Sequence, residues 1–582
     1  MTKHLTILLI ILMETAMSLN AHSADNPDLI IAYTTDVHGH FFPYDFIKGD
    51  PASGSLARVS TAVDSLRARY GTDRVVLLDN GDILQGQPTV YYYNFIDTVA
   101  PHIVTDIYKF LGYDATSVGN HDIETGHAVY DRWKSTAEIP VLAANVIDRT
   151  TGQPYFQPYT IINRNGLRVA IIGLLTPVIP AWLPENLWKG LEFLPMEESA
   201  RKWVEIVRSS EAPDVVIGLF HSGRDASKTT AGYKENESLT IARQVDGFDA
   251  VLMGHDHQLF CDYVTAPSGK SVAVINPANN ANNLGTILLQ KDASGKIILT
   301  PHNIDLTNTN PSEKYLDHFK NQFNEVKQFV EQPVSEITAD ISTRDAYFGP
   351  SAFMTLLHRL QHEVSGAQIS MAAPLTFDGL IKKGQLTIAD MFTLYKYENN
   401  LTTLKLTGKE IKDYLEYSYD LWLNRIENDA DHLIRFASES PTISDNRLKN
   451  PSYNFDSASG INYTVDVTQG KGNRVQIISL ADGSPFDPDS TYTVAINSYR
   501  AGGGGNHLTE GSGLSPQQLK GRIVKSTDKD LRYYLMQVLK KSPQINPEID
   551  HNWKMIPEDI ATRHAAIDRR LLFSPESSKN QK

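Results

Sequence analysis

At 582 residues, 41% of them hydrophobic, the chain is too long for one core and long enough for several domains. Its formal net charge of −14 excludes a general nucleic-acid binder, which needs a basic surface to displace counterions. Small anionic substrates stay open, because bound divalent cations reverse a local field. One cysteine, Cys261, excludes an intramolecular disulfide and a thiolate cluster, so a metal site here has to be built from His, Asp, Asn and backbone oxygen.

Lys3 and His4 precede an apolar run over residues 5–13, and Ala21-His22-Ser23-Ala24 offers small residues for cleavage. Residues 1–23 read as a signal peptide, and the mature chain as exported: periplasmic first, with secretion or surface display as alternatives. The apolar run is interrupted by Glu14 and falls short of the roughly 20 residues a membrane span requires. No other segment is long and apolar enough to span.

Residues 29–33 form a continuous apolar run, the pattern of a buried strand, and deliver Asp36-Val37-His38. Two apart in extended chain, Asp36 and His38 point to one side and suit one cation. Residues 56–66 carry apolar side chains at helical spacing, and residues 74–78 read as a second strand ending in Asp79-Asn80-Gly81-Asp82. This β-α-β order predicts a parallel sheet with its site at the carboxyl edge. The pattern repeats. Residues 113–118 lead to Gly119-Asn120-His121-Asp122-Ile123-Glu124, residues 214–220 to His221, and residues 249–254 to His255-Asp256-His257. One such ending is a polar turn or a helix N-cap; five in a shared register are a metal site.

Imidazole and carboxylate together suit zinc, manganese or iron(II). A carboxylate shared by two cations roughly 3.5–4 Å apart lets them activate water and clamp a phosphoryl group. Charge accumulates on the equatorial oxygens during transfer, so the site must also supply positive charge and a proton donor near the leaving oxygen.

Asp36-x-His38, Gly81-Asp82, Gly119-Asn120-His121, His221 and Gly254-His255-x-His257 resemble the calcineurin-like metallophosphoesterases. More narrowly, they are similar to the secreted nucleotidases: 5′-nucleotidases, UDP-sugar hydrolases and 2′,3′-cyclic-nucleotide 2′-phosphodiesterase/3′-nucleotidases. The resemblance covers nearly the whole mature chain. It implies an α/β catalytic domain of four layers, two sheets flanked by helices, joined by a helical linker to an α+β substrate-binding domain. It implies two divalent ions (Zn, Mn, Fe or Co). Asp36, His38, Asp82 and His257 would hold one, and Asp82, Asn120, His221 and His255 the other. His121 would stabilise the transition state or protonate the leaving oxygen. Glu124 stands where many 5′-nucleotidases carry an aspartate that orients that histidine.

Residues 311–331 read as one amphipathic helix with Tyr315, Phe319, Phe323, Val326 and Val330 on a stripe, stopped by Gln332-Pro333. The predicted organisation is therefore residues 24–310 as the dimetal domain, 311–343 as a helical linker, 344–575 as a nucleotide-binding domain and 576–582 as a polar tail. Beyond the linker, helix-like and strand-like stretches mix, as in an α+β domain. Two stretches there, Tyr453-Asn454-Phe455-Asp456 and Ser498-Tyr499-Arg500-Ala501 before four glycines, place aromatics beside permissive backbone. Two aromatic faces clamp a nucleobase of any kind. The resemblance assigns the clamp to Phe455 and Tyr499. Arg500 is a candidate substrate contact, with pairing to a surface carboxylate as its alternative.

The stretch from Ala372 to Leu380 contains no arginine, unlike the Asn-Gly-Gly turn with arginines common in 5′-nucleotidases. Its Ala-Ala-Pro start, with Asn454-Phe455-Asp456 and Ser498-Tyr499-Arg500-Ala501, resembles the cyclic-phosphodiesterase/3′-nucleotidase branch. The expected substrates are 2′,3′-cyclic nucleotides and then 3′-nucleotides, with no nucleic-acid polymer. A 5′-nucleotidase or UDP-sugar hydrolase on the same scaffold is the nearest alternative. A sulfur-compound hydrolase and a catalytically silent nucleotide-binding protein stand further off.

Overall fold

The computed structural model describes residues 26–225, 229–230, 232–437 and 448–573; the signal-peptide reading at 1–23 and the tail at 576–582 lie outside them. The chain divides into two units. One comprises the residues through Ile179, Asn186–Thr229 and Tyr233–Glu325, and the other Pro180–Glu185, Thr230–Gly232 and the residues from Val326.

The first unit is organised by two six-stranded sheets. Their strands are β1 (Leu29–Thr34), β2 (Val75–Asp79), β3 (Ala115–Ser117), β4 (Val141–Leu142), β5 (Tyr159–Arg164) and β6 (Leu167–Leu175). There follow β7 (Val215–His221), β8 (Ala250–Met253), β9 (Leu259–Thr265), β10 (Ser271–Pro277), β11 (Asn283–Lys291) and β12 (Ile297–Asp305). One sheet has the order β12-β11-β1-β2-β3-β4 and the other β9-β10-β8-β7-β6-β5. In the first sheet β1 to β4 run parallel, with β4 at one edge and the antiparallel β11 and β12 at the other; in the second, β6, β7, β8 and β10 run parallel between antiparallel β5 and β9.

Alternation along each strand sorts side chains between two faces. Leu29, Ile31, Tyr33, Val76 and Leu78 of one sheet share a core with Val169, Ile171, Ile217, Leu219, Leu252 and Ile275 of the other. The opposite face of the second sheet, with Ile172, Val216 and Phe220, packs against Met196, Ala200, Val204 and Val207. Those four project from α4 (Met196–Ser210), one of the helices that flank the sheets with α1 (Leu56–Tyr70), α2 (Ile103–Leu111) and the short α3 (Asn120–Glu124). Both faces of β1, β2 and β7 are covered, which is why these strands read as unbroken apolar runs rather than alternating ones. Fully burying one such side chain stabilises by about 1.5–3 kcal/mol.

A buried histidine caps α2. His102 Nδ1 accepts from Val104 N at 3.3 Å, and Nε2–H donates to Asn94 Oδ1 at 2.9 Å, so both nitrogens are satisfied in the neutral ring. Burial pushes this imidazole down from 6.5 to about 3, helped by Arg132. The unfolded chain takes up a proton that the folded chain refuses, so this contribution is complete above pH 6.5 and is lost as pH falls toward 3. At pH 5 the loss is about 2 kcal/mol. The expected result is that His102→Gln flattens the fall in melting temperature between pH 7 and pH 5; an unchanged fall would show that His102 is not its source.

The segment predicted as one helix is two, α5 (Glu313–His318) and α6 (Lys320–Val330), parted at Phe319, whose φ of −97° and ψ of 17° leave the helical region. Helix α5 and the start of α6 are integral to the first unit: Tyr315 and Phe319 pack on Phe110, and Phe323 on Phe42 and Phe46. The division between the units falls inside α6, after Glu325.

The second unit is α+β. A five-stranded sheet has the order β15-β13-β18-β14-β19, and a three-stranded one β17-β16-β20. In chain order these are β13 (Ile369–Ala372), β14 (Asn400–Thr407), β15 (Ser457–Ser459), β16 (Ile461–Asp466), β17 (Val475–Leu480), β18 (Thr491–Asn497), β19 (Ile523–Asp530) and β20 (Trp553–Ile556). Helix α7 (Ala352–Ser365) packs on the first sheet. Helix α8 (Gly408–Trp422) starts in a capping box, with Thr407 Oγ1 accepting from Glu410 N and Glu410 Oε2 from Thr407 N. Its Tyr419 and Trp422 anchor an aromatic core with Phe455, Tyr463 and Trp553.

Candidate metal centre

Parallel pairing brings the carboxyl ends of β1, β2 and β3 to one edge, and likewise those of β7 and β8. Asp36 and His38 follow β1, Asp82 follows β2, Asn120 and His121 follow β3, His221 closes β7, and His255 and His257 follow β8. The chain beyond β1 is not extended, as the spacing of Asp36 and His38 had suggested. Asp36, His38, Asp82, His255 and His257 have φ of 50°, 49°, 55°, 70° and 55°. Left-handed backbone disfavours a side-chain-bearing residue by about 1–2 kcal/mol, and such strain collects where surrounding structure holds a site in place. Here the turns are tied to one another: His38 N donates to Asp82 O at 3.0 Å, His255 N to Asp36 Oδ2 at 2.9 Å and His121 N to Asp82 Oδ1 at 2.8 Å. Gly119 is required by this crowding, because a Cβ there would overlap the Asp82 carboxylate.

The predicted ligands gather into two groups. Ligand atoms of Asp36, His38 and His257 lie within 4.8 Å of one another, as do those of Asp82, His221 and His255. Asn120 Oδ1 joins the second, 3.2 Å from His221 Nε2. The donor set fits cations. His38 Nδ1–H donates to Gln85 O at 3.0 Å and His221 Nδ1–H to Asn80 O at 2.6 Å, which turns the Nε2 lone pairs inward. There His38 Nε2 meets His257 Nε2 at 3.1 Å, and His221 Nε2 meets Asp82 Oδ2 at 3.1 Å. With Asp36 Oδ1 3.2 Å from His257 Nε2, these nitrogens and the carboxylate form a nitrogen–oxygen donor set that suits a divalent cation.

The electrostatics agree. Burial, then His257, pushes His38 down to about 3, so its ring is a neutral donor. Burial works against ionisation of Asp82, but His221 and His121 outweigh it and hold the carboxyl well below the ordinary range. Asp36 is lowered in the same way, its burial outweighed by His221 and His257. Burial also opposes a charge on His221, yet Asp82 and Asp36 raise it, so a cation would displace a proton there.

Beside these groups, His121 Nδ1 bonds Glu124 Oε2 at 2.5 Å; the glutamate reaches the ring and is itself buried, while the His121 side chain is 26% exposed.

Sequence reasoning gave Asp122 no role. Its Oδ2 accepts from Asp82 N and Gly119 N, at 2.9 and 2.7 Å, and its Oδ1 from Ile83 N and Leu84 N, at 3.0 and 2.9 Å. It thereby fixes both loops that carry Asp82 and His121. The available signal was its place at the third position of α3, where an acidic side chain reaches back to the cap. Asp122→Asn keeps the shape but sets an NH2 against two backbone N–H groups. Phosphate release and retained metal after dialysis are expected to fall about 10–100-fold; wild-type values for both would remove Asp122 from the site. Asn279, 3.2 Å from His257 Nδ1, and Glu235, 3.1 Å from His255 Nε2, are further partners the sequence did not mark.

In the second unit the structure corrects two expectations. Phe455 is 0% exposed and stacks on Trp422 at 5.4 Å, so it is a core residue and offers no face to a ligand. The half-buried Tyr453 is the ring that meets Tyr499, edge to face at 6.4 Å. Arg500 is 1% exposed and pairs with buried Asp456, not with a surface carboxylate or an accessible ligand.

Residues 29–259 match the calcineurin-like phosphoesterase family and residues 329–510 the 5′-nucleotidase C-terminal domain. The chain is thus a two-domain α/β phosphoric ester hydrolase of the metallophosphoesterase class. It is 27% identical to the 2′,3′-cyclic-nucleotide 2′-phosphodiesterase/3′-nucleotidase of Yersinia enterocolitica, over 97% of this chain and 93% of that protein. It is also 27% identical to the trifunctional nucleotide phosphoesterase YfkN of Bacillus subtilis, over 98% of this chain but only 42% of the longer protein. The crystal structure of a 5′-nucleotidase precursor from Thermus thermophilus shares the fold, with a TM-score of 0.62 and 22% identity over 91% of this chain and 99% of that one. No helix among the described residues is long and apolar enough to cross a membrane.

Proposed function

We propose that the chain hydrolyses 2′,3′-cyclic nucleotides to 3′-nucleotides and these to nucleoside and phosphate. The observation that carries the chemistry is the pair of histidine–carboxylate groups with His121–Glu124 beside them. The substrate class is supported by the arginine-free Ala372–Leu380 stretch and by full-length similarity to an enzyme of that name.

Asp36, His38 and His257 would hold one divalent ion and Asn120, His221 and His255 the other, with Asp82 serving both. Bound ions supply Lewis acidity toward the phosphoryl oxygens and a water of low pKa. Nitrogen and oxygen donors of this kind suit zinc, manganese, iron(II) or cobalt. Glu124 fixes the His121 ring through Nδ1, leaving Nε2 to deliver a proton to the departing oxygen. In the first reaction water adds across the P–O2′ bond: phosphorus gains the hydroxyl and the ribose 2′-oxygen gains the proton. In the second the P–O3′ bond is cleaved in the same sense. Tyr453 and Tyr499 stack the base, which tolerates any base because each has a π-face. The leader-like residues 1–23 support export, to the periplasm where the host has one.

The order of products tests this. With 2′,3′-cyclic AMP and added manganese or cobalt, 3′-AMP should rise and then give way to adenosine and phosphate. Accumulation of 2′-AMP, or no consumption, would contradict it.

A further inference from the structure

Arg500 sits between the two segments that carry Tyr453 and Tyr499, and every N–H of its guanidinium is in use. Nε and Nη2 grip Asp456 Oδ2 and Oδ1, at 3.1 and 3.0 Å. Nη2 also donates to Tyr453 O at 2.6 Å. Nη1 donates to Asn454 Oδ1 at 3.1 Å and to Gly504 O at 3.0 Å. The carboxylate is held in turn by the Tyr414 hydroxyl, from α8 in the core. One planar fork therefore binds the main chain of residue 453, the side chains of 454 and 456 and the turn at 504, while its own backbone carries Tyr499 next door on α9 (Ser498–Ala501).

The glycine run completes this seat. Gly503 and Gly505 have φ of 106° and 68°, which glycine adopts without strain. A Cβ on Gly504 would overlap the Tyr499 ring, and one on Gly505 would overlap Arg500 Nη1. The run reads in sequence as a flexible loop. In the fold it is the surface on which the Tyr499 ring and the Arg500 guanidinium lie.

We propose that Arg500, seated on Gly504 and Gly505 and locked to Asp456, is a positioning residue that sets the gap between Tyr453 and Tyr499 and so confers the preference for a substrate bearing a planar base. The proposal rests on the reading of those tyrosines as the base-binding pair. A guanidinium suits the task because its donors are fixed in one plane; a lysine has the charge but cannot span five acceptor atoms at set angles.

The test compares kcat/KM for 3′-AMP with that for methyl ribofuranoside 3-phosphate, the same sugar ester without a base, in the full-length protein. Arg500→Lys should lower the ratio about tenfold, within the range of one lost stacking contact. The change should appear in KM, and should add little when combined with Tyr499→Ala. Gly505→Ala, whose Cβ would meet Arg500 Nη1 rather than the Tyr499 ring, should lower the ratio likewise and decides the matter if Arg500→Lys does not fold. If Tyr453→Ala and Tyr499→Ala lower the ratio but Arg500→Lys and Gly505→Ala do not, positioning by Arg500 is overturned while the base-binding pair stands. A fall for both substrates in step with a lower melting temperature also overturns it, since that marks support of the fold alone. If the tyrosine variants leave the ratio unchanged, the base-binding reading itself fails.

Discussion

Asp82→Asn is expected to reduce phosphate release by at least about a thousandfold, the upper end of what one preorganised charged group contributes. Asp82 belongs to the ligand group of His221 and His255, and the proposed function has it serve the second cation as well. Its Oδ2 faces His221 at 3.1 Å, its Oδ1 accepts from His121 N, and its carbonyl accepts from His38 N. The amide is isosteric, so these backbone ties survive in shape, but it carries no charge to share between two cations. Metal analysis after dialysis should find fewer than two ions per chain. A fully metallated Asp82→Asn that turns over like the wild type would show that the carboxylate is not shared.

His121→Ala has the second largest expected effect, and its size should depend on the leaving group. General-acid assistance contributes about 10²–10⁴-fold, but only where the departing oxygen needs a proton. Ribose oxygens do; p-nitrophenolate leaves without one. Turnover of 3′-AMP should therefore fall by about 10²–10⁴-fold and that of p-nitrophenyl phosphate far less. Metal content should hold, since His121 lies outside both ligand groups. Equal losses on the two substrates would assign His121 to stabilising the transferring phosphoryl group rather than to proton delivery. Glu124→Gln should show a milder form of the same pattern, because it retains a side chain within reach of Nδ1.

Much of this site was legible because two simple signals coincide in it. A doubly buried parallel strand leaves an apolar run, and its carboxyl end then faces the site, so Asp36, Asp82, Asn120, His221 and His255 announced themselves by position. The two-sheet arrangement was not in that pattern; it came with the family resemblance. What stayed hidden was local. Nothing in Thr34-Thr35-Asp36-Val37-His38 marks two left-handed residues, because non-glycine residues adopt that conformation only when the surroundings impose it. Asp122 looked like one more polar residue; its four backbone donors come from two loops some forty positions apart in sequence. Tyr453 and Phe455 are two positions apart in a stretch without periodicity, so the pattern did not say which ring was buried, and the choice of Phe455 failed. Arg500 failed for a related reason: its carboxylate partner lies 44 positions upstream, and pairing over that distance is visible only in the fold.

The central claim, hydrolysis of cyclic and 3′-nucleotides at a two-metal site, is tested most directly by comparing kcat/KM for 2′,3′-cyclic AMP, 3′-AMP, 5′-AMP and UDP-glucose. The measurement uses the chain from Ala24 with manganese, zinc or cobalt added. The account predicts preference for the first two, with turnover abolished by chelation and restored by the metal. Preference for 5′-AMP or UDP-glucose would contradict it and place the same fold and metal centre among the 5′-nucleotidases and UDP-sugar hydrolases.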